Sequence, residues 1–148
     1  MNNFNLPNAH PIDETVQAAT GYAGDIFPEL AWHWVQTGQA ILVDVRSDAE
    51  RAWVGFVPEA KALAWKQWPA TEVNPVFDDQ IQALAKDGQK LVLLCRSGVR
   101  SVAAAQRAAQ LGLEAYNILE GFEGDPDAHA HRGLLGGWRK RGLPWRQN

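Results

Sequence analysis

The sequence predicts an α/β protein built on a mainly parallel sheet with helices on both faces. Three observations carry this. Candidate strands alternate with candidate helices along the chain, the pattern of a parallel sheet with crossover helices. The central strand candidates, Ile41-Leu42-Val43-Asp44-Val45 and Lys90-Leu91-Val92-Leu93-Leu94, are compact apolar runs, as expected of strands buried on both faces. The length of 148 residues suits a single domain, in which about 68–70% of the unfolded surface can be buried and a core forms without staples.

Residues 1–20 are polar and aperiodic and read as a loosely ordered lead-in to one domain over 21–148. Gly21-Tyr22-Ala23-Gly24 is loop chemistry, and Asp25-Ile26-Phe27 is a short edge-strand candidate. Pro28 suits the first position of a helix, which runs to Thr37 and is closed by Gly38. After the strand at 41–45, Ser47 and Asp48 can cap a short helix through Trp53. Gly55 to Ala60 is a loop around Pro58, and Ala62 to Trp65 is a short strand candidate. Asn74-Pro75 pairs an N-cap with a proline at N1, and Val76, Phe77, Ile81, Leu84 and Ala85 form one face of a helix ended by Gly88. The strand at 90–94 leads through a short loop into an alanine-rich helix over Ser101 to Leu111, stopped by Gly112. Ala115 to Leu119 is a third strand of the same kind. Gly121 to Gly137 reads as a long loop, and Trp138 begins a short terminal helix that Gly142 and Pro144 stop.

Composition removes several function classes. Hydrophobic residues make up 46% and charged residues 21%, ordinary for a globular protein. The net charge of −3 gives no global case for nucleic-acid binding. No apolar run approaches the roughly 18 residues of a membrane span, and the start Met1-Asn2-Asn3-Phe4-Asn5 has no secretory pattern. A cytoplasmic location, with neither nucleic acid nor membrane as partner, is the expectation. The single cysteine, Cys95, excludes an internal disulfide, a cysteine-based zinc cluster and an internal dithiol redox pair. A lone functional thiol suits a reducing cytoplasm. Charge is uneven: Arg132 to Asn148 holds Arg132, Arg139, Lys140, Arg141 and Arg146 with no acid. That stretch reads as a solvated basic tail, or as a local field favouring a small anion.

The chemistry concentrates in Leu94-Cys95-Arg96-Ser97-Gly98-Val99-Arg100-Ser101. A buried strand ends at Cys95 and a helix begins a few residues on, so the backbone N–H groups of the loop and the helix N-terminus converge near the thiol. Small ligands bind at the carboxyl ends of the strands in such sheets, where Asp44, Arg46 and Cys95 all fall. The thiolate is the reactive form of cysteine and is the minor form of a free thiol at neutral pH. A helix N-terminus favours the anion by about 0.3–1 kcal/mol, and by up to about 2 when partly buried. Charge-assisted hydrogen bonds from loop amides and from Arg96 or Arg100 add to this. The loop therefore supports a thiolate nucleophile without a histidine base. An inert buried cysteine ending a strand is the plain alternative, and Arg96, Gly98, Arg100 and a helix start in one window argue against it.

The segment Cys95 to Ser101 resembles the active-site loop of the rhodanese (sulfurtransferase) family. Leu42-Val43-Asp44-Val45-Arg46 with Glu50 downstream, Gly55-Phe56-Val57-Pro58-Glu59-Ala60, Leu119-Glu120-Gly121-Phe122 and Trp138 to Pro144 resemble further family segments in the same order. The resemblance covers Gly24 to Trp145 and implies a rhodanese-like fold with a central five-stranded parallel sheet. It implies that the thiolate of Cys95 takes the outer sulfur of thiosulfate or a similar anionic donor as a persulfide. Cyanide, or a thiol that can belong to a protein, then accepts the sulfur, with ping-pong kinetics. It further implies that the amides of residues 96–100 cradle the persulfide and that Arg100 closes the loop. Arg96, Ser97, Gly98, Val99 and Ser101 are then substrate-binding and Cys95 and Arg100 catalytic. No cofactor and no metal are implied. Cysteine–arginine loops of related-fold phosphatases and arsenate reductases place five residues between the two, against the four of Arg96 to Val99 here. A tighter cradle suits sulfur. A non-enzymatic rhodanese-like module for partner binding or regulation is the alternative, although such modules often lose the cysteine or the arginine.

Phe56 stands where the family has histidine, and Glu59 where it has glycine. Asp44 and Arg46 read as supporting residues, with Asp44 bonding backbone amides and Arg46 pairing with Glu50. Glu123 to Leu135 looks like an insertion containing Asp125, Asp127, His129, His131 and Arg132. It reads as a lid or docking segment in preference to a metal site. Seven tryptophans are many for this length. Core packing is their default, with an aromatic rim near Cys95 from Trp65 or Trp68 as the functional alternative.

Overall fold

The computed structural model describes residues 11–148; residues 1–10 of the predicted lead-in lie outside them. Five strands form one parallel sheet in the order β1-β5-β4-β2-β3. They are β1 (Gly24–Ile26), β2 (Ala40–Asp44), β3 (Lys61–Ala62), β4 (Lys90–Leu94) and β5 (Ala115–Ile118). The helices are α1 (Pro28–Gln36), α2 (Asp48–Trp53), α3 (Phe77–Leu84) and α4 (Val99–Gln110).

Side-chain alternation along the central strands divides the core in two. Leu42, Val92, Leu94, Tyr116 and Ile118 point to the α1 side, where Leu30 and Ala31 meet them together with Phe122 and Trp138 of the closing segment. Val43, Leu91, Leu93 and Ala115 point to the other side, against Phe77 and Ile81 of α3 and Ala104, Ala105 and Ala108 of α4. The unbroken apolar runs of β2 and β4 are thus explained, since each strand needs an apolar residue on both faces. Helix α2 buries none of its residues and lies beyond the carboxyl end of β2.

Four elements differ from the sequence reading. Helix α3 starts at Phe77 with Val76 at its N-cap, two residues after the predicted Asn74-Pro75 start, and the Asn74 side chain instead closes a turn by accepting the Val76 N–H at 3.1 Å. The strand at 62–65 is confined to Lys61–Ala62, although Leu63 and Trp65 still donate their N–H groups to Asp44 and Val45 carbonyls at 2.9 Å. Helix α4 starts at Val99, two residues before the predicted start at Ser101, because Gly98 takes the N-cap in a left-handed conformation (φ 114°). The terminal helix at Trp138 is a run of turns. The indole of Trp138 is buried and donates to the Pro144 carbonyl at 2.9 Å, and Arg146 returns to pair with Phe56 as an antiparallel bridge. The basic stretch is therefore folded back onto the domain, with Lys140, Arg141 and Arg146 still exposed to solvent. Arg141 binds Glu120 and Glu29, and Arg139 lies over the rings of Phe122 and Trp145.

Candidate active site

Cys95 follows β4 directly and is buried, with 1% of its surface exposed. Its Sγ accepts the Gly98 N–H at 3.0 Å and lies 3.1 Å from the Ser101 Oγ. Gly98 is required here: its φ of 114°, which turns its N–H onto the sulfur, is one that residues with a Cβ rarely adopt. Ser101 sits buried in the first turn of α4. Its Oγ donates to Asn117 Oδ1 at 2.6 Å, and Asn117 Nδ2 donates to Asp25 Oδ1 at 2.9 Å. Tyr22 completes this line with a hydroxyl bond to the same Asp25 oxygen at 2.8 Å. One polar chain therefore runs from the sheet edge at β1, through β5, to the thiol at the end of β4.

Residues Arg96, Ser97, Val99 and Arg100 surround the thiol in a pocket of ≈ 240 Å³. The loop is held from behind. The carbonyl of Cys95 accepts the Phe122 N–H at 2.8 Å, and that of Arg96 accepts the Glu123 N–H at 2.9 Å. Gly121 (φ 64°) makes this approach possible, since a Cβ there would lie 2.6 Å from the Cys95 and Arg96 carbonyl oxygens.

Arg100 crosses to α2. Its guanidinium donates to both Glu50 oxygens, at 2.6 and 2.8 Å. Glu50 also accepts the Ser47 N–H and Oγ–H within a complete capping box. Burial pushes the Glu50 carboxyl up. The hydrogen bond and charge of Arg100, with the Ser47 bonds, outweigh it and bring the group down to about 2. Arg100 is raised in turn, first by the hydrogen bond to Glu50.

The expected Arg46–Glu50 pair is therefore incorrect. Arg46 is fully buried and pairs with Asp44, its Nε at 3.0 Å and its Nη2 at 2.7 Å, and it also donates to the Gly55 carbonyl at 2.9 Å. The cause is local. The capping box turns Glu50 back toward the cysteine loop, while Asp44 and Arg46 point into the same closed space. Asp44 also accepts the Arg46 backbone N–H at 3.0 Å, in keeping with the amide-bonding role expected of it.

A second cleft, of ≈ 570 Å³, shares Arg96 and Arg100 with the thiol pocket and is bounded by Trp53, Trp68, Glu123 and Arg132. Trp53 and Trp68 are 82% and 78% exposed. Trp68 lines this adjoining cleft and not the thiol pocket itself. Trp65 lines neither, because it packs in the core edge-on to Phe77 with ring centroids 4.8 Å apart. Trp53, Glu50 and Asn117 were not singled out as lining or touching the site. Glu50 alone had a signal, as the last residue of the Ser47-x-x-Glu50 capping pattern. In the 123–135 segment, the Asp127 carboxylate accepts the backbone N–H groups of His129 and His131, each at 2.9 Å. The aspartate and alternating histidines thus form a side-chain-closed turn.

The Rhodanese-like domain family matches residues 27–125. The crystal structure of Rv0390 from M. tuberculosis superposes with a TM-score of 0.75 at 40% identity, covering 86% of this chain and 99% of that one. An uncharacterized protein of Rickettsia conorii, RC0915, is 31% identical over 116 residues, 75% of this chain and 86% of the relative. The thiosulfate sulfurtransferase GlpE of Actinobacillus succinogenes is 29% identical over 121 residues, 81% of this chain and 87% of the relative. With its all-parallel five-stranded sheet and this cysteine loop, the chain belongs to the rhodanese-like domain family.

Proposed function

We propose that the protein is a sulfurtransferase of the thiosulfate type that works through a persulfide on Cys95. The observation that carries this is the Cys95 sulfur held at the base of an open pocket, bonded by the Gly98 N–H at 3.0 Å. The likeness to a thiosulfate sulfurtransferase over most of both chains supports it.

In the first half-reaction the Cys95 thiolate attacks the outer sulfur of thiosulfate. The bond between the two thiosulfate sulfurs breaks, sulfite leaves with the electron pair, and Cys95 carries a terminal anionic sulfur. In the second, cyanide or a thiolate attacks that terminal sulfur. Thiocyanate or a new persulfide departs and the Cys95 thiolate is restored, as covalent ping-pong catalysis requires. The loop amides and the start of α4 stabilise anionic sulfur at both stages. The Ser101 Oγ, whose own proton goes to Asn117, accepts from the Cys95 thiol and positions the sulfur, while Ser97 and Val99 shape the pocket. Arg96, exposed and without an ion partner among the described residues, draws the anionic donor, and Arg100 is aimed by Glu50 at the pocket wall.

The test is intact mass. Incubation with thiosulfate is expected to add the mass of one sulfur atom, which cyanide then removes. Absence of the adduct in the wild type, or unchanged turnover in Cys95→Ala, refutes the reading.

A further inference from the structure

The line of polar groups that ends on Cys95 has a fixed direction, and that direction is set at its far end. A carboxylate has no proton to give, so Asp25 Oδ1 accepts at both of its bonds, from the Tyr22 hydroxyl at 2.8 Å and from Asn117 Nδ2 at 2.9 Å. Burial first, and Asp25 after it, push the Tyr22 hydroxyl up to about 12, which keeps it a donor. With its amide nitrogen held by Asp25, Asn117 turns its oxygen to Ser101 and takes the Ser101 proton at 2.6 Å. A hydroxyl has one proton. Ser101 is left with a lone pair toward the sulfur, 3.1 Å away. Such a partner suits an Sγ that carries a proton and opposes one that carries a charge. The Gly98 N–H, which donates to the same sulfur at 3.0 Å, favours the charge. To donate to a thiolate, Ser101 has to leave Asn117, whose oxygen is then buried on β5 without its donor, a costly state.

Building on the sulfurtransferase reading, we propose that Asp25 is a positioning residue for Cys95: it fixes the Asn117 amide and so makes Ser101 an acceptor that holds the unloaded sulfur as a thiol. The Asn117 amide does not titrate, so the line passes on orientation and not protons. The same direction suits the persulfide, in which the charge sits on the outer sulfur and Sγ has none. The thiolate is the reactive form of cysteine, so the line restrains the site between sulfur loadings. The charged groups of the surrounding elements are paired elsewhere. Arg100 binds Glu50 of α2, and Arg46 and Arg51 bind Asp44 of β2. Arg107 of α4 binds Asp78 of α3, and Glu123 of the closing segment lies near Arg139. Arg96 belongs to the loop itself. The test substitutions alter none of them.

The probe is iodoacetamide, with alkylation of Cys95, the one cysteine of the chain, followed across pH by intact mass. Asp25→Asn puts an amide where only an acceptor stood, so Asn117 can turn and Ser101 can give its proton to the sulfur. The midpoint of the alkylation profile is expected to fall by about one pH unit, a tenfold rise in thiolate below the midpoint. Losing a negative charge acts in the same sense, so the substitution is repeated in Ser101→Ala, where the line is cut and the Asp25→Asn shift is expected to vanish. An equal shift in both backgrounds, as charge alone gives, overturns the proposal, and so does no shift in either. A loosened fold speeds alkylation at every pH and leaves the midpoint in place, which also overturns it. Asn117→Ala removes the acceptor of the Ser101 proton and is expected to lower the midpoint too. It carries the test if Asp25→Asn does not fold, and an unchanged midpoint there rejects the inference. Alkylation needs no sulfur donor, so the sulfurtransferase reading fails separately, if thiosulfate loads no sulfur onto wild-type Cys95.

Discussion

At the scale of the residue, the site is governed by who pairs with whom around one sulfur. Ser101 sits 3.1 Å from Sγ and is itself anchored by Asn117 at 2.6 Å. Ser101→Ala removes this contact and leaves Asn117 Oδ1 without its donor, and kcat/KM with thiosulfate is expected to fall a few-fold, given about 0.5–1.5 kcal/mol for a neutral hydrogen bond. Steady-state kinetics check it, and a wild-type rate contradicts the assignment. The Glu50–Arg100 pair makes a prediction in pH. The Glu50 carboxyl is lowered in the fold from 4.5 to about 2. A depressed carboxyl contributes stability that is present above its unfolded value and lost as pH falls through the folded one. Glu50→Gln is therefore expected to destabilise the protein by about 1.5–3 kcal/mol at neutral pH. That penalty shrinks between about pH 5 and pH 2, as read from urea midpoints of both proteins across that range. A penalty independent of pH would contradict the pairing.

At the scale of the element, the important joint is between the end of β5 and the cysteine loop. Both follow strands that are neighbours in the sheet, and their backbones are bonded from Phe122 to Cys95 and from Glu123 to Arg96. Gly121→Ala places a methyl group 2.6 Å from backbone atoms that cannot move independently, at a φ of 64°. The left-handed conformation alone costs about 1–3 kcal/mol, and the clash pushes the cysteine loop out of place. The expected outcome is a lower melting temperature together with a greater loss of sulfur transfer than a merely unstable fold shows at low temperature. A folded, fully active Gly121→Ala protein would refute this. The contrast in α4 is instructive for legibility. Its alanine-rich register and its stop at Gly112 were readable from the chain. Its start at Val99 was not, because a glycine N-cap with no side-chain bond leaves no local capping signal. The closing segment after Trp138 escaped for a related reason. Its turns follow from burial of Trp138 and from the bridge to Phe56, which no local window contains.

At the scale of the whole molecule, the buried Asp44–Arg46 pair ties distant parts together. Arg46 reaches Asp44 at the end of β2, the carbonyl of Gly55, and the ring of Phe122 at 4.2 Å to its centroid. It thus joins the central sheet, the loop before β3 and the closing segment behind the cysteine. Removing Arg46 leaves the buried Asp44 only the partly exposed Arg51, whose Nε lies 3.3 Å away, and breaking a buried pair costs up to about 3–5 kcal/mol. Arg46→Ala is expected to lose stability on that scale in denaturant unfolding, and to lose activity through the closing segment. A change below about 1 kcal/mol would show that the pair is dispensable.

The sequence by itself determined the parallel α/β architecture, the order of its elements and the cysteine loop with its arginine. Those signals are short-range: apolar runs, glycine stops, and a strand–loop–helix confined to Leu94 through Ser101. Only the tertiary structure decided that Glu50 serves Arg100 across a sequence separation of 50 residues, that Asn117 on β5 anchors Ser101 on α4, and that Trp53 and Trp68 share a cleft while Trp65 is spent in the core. The physical reason is that a side chain's partner depends on which strand ends lie side by side. In this sheet β4 lies between β2 and β5, so chain segments far apart in sequence meet around one sulfur.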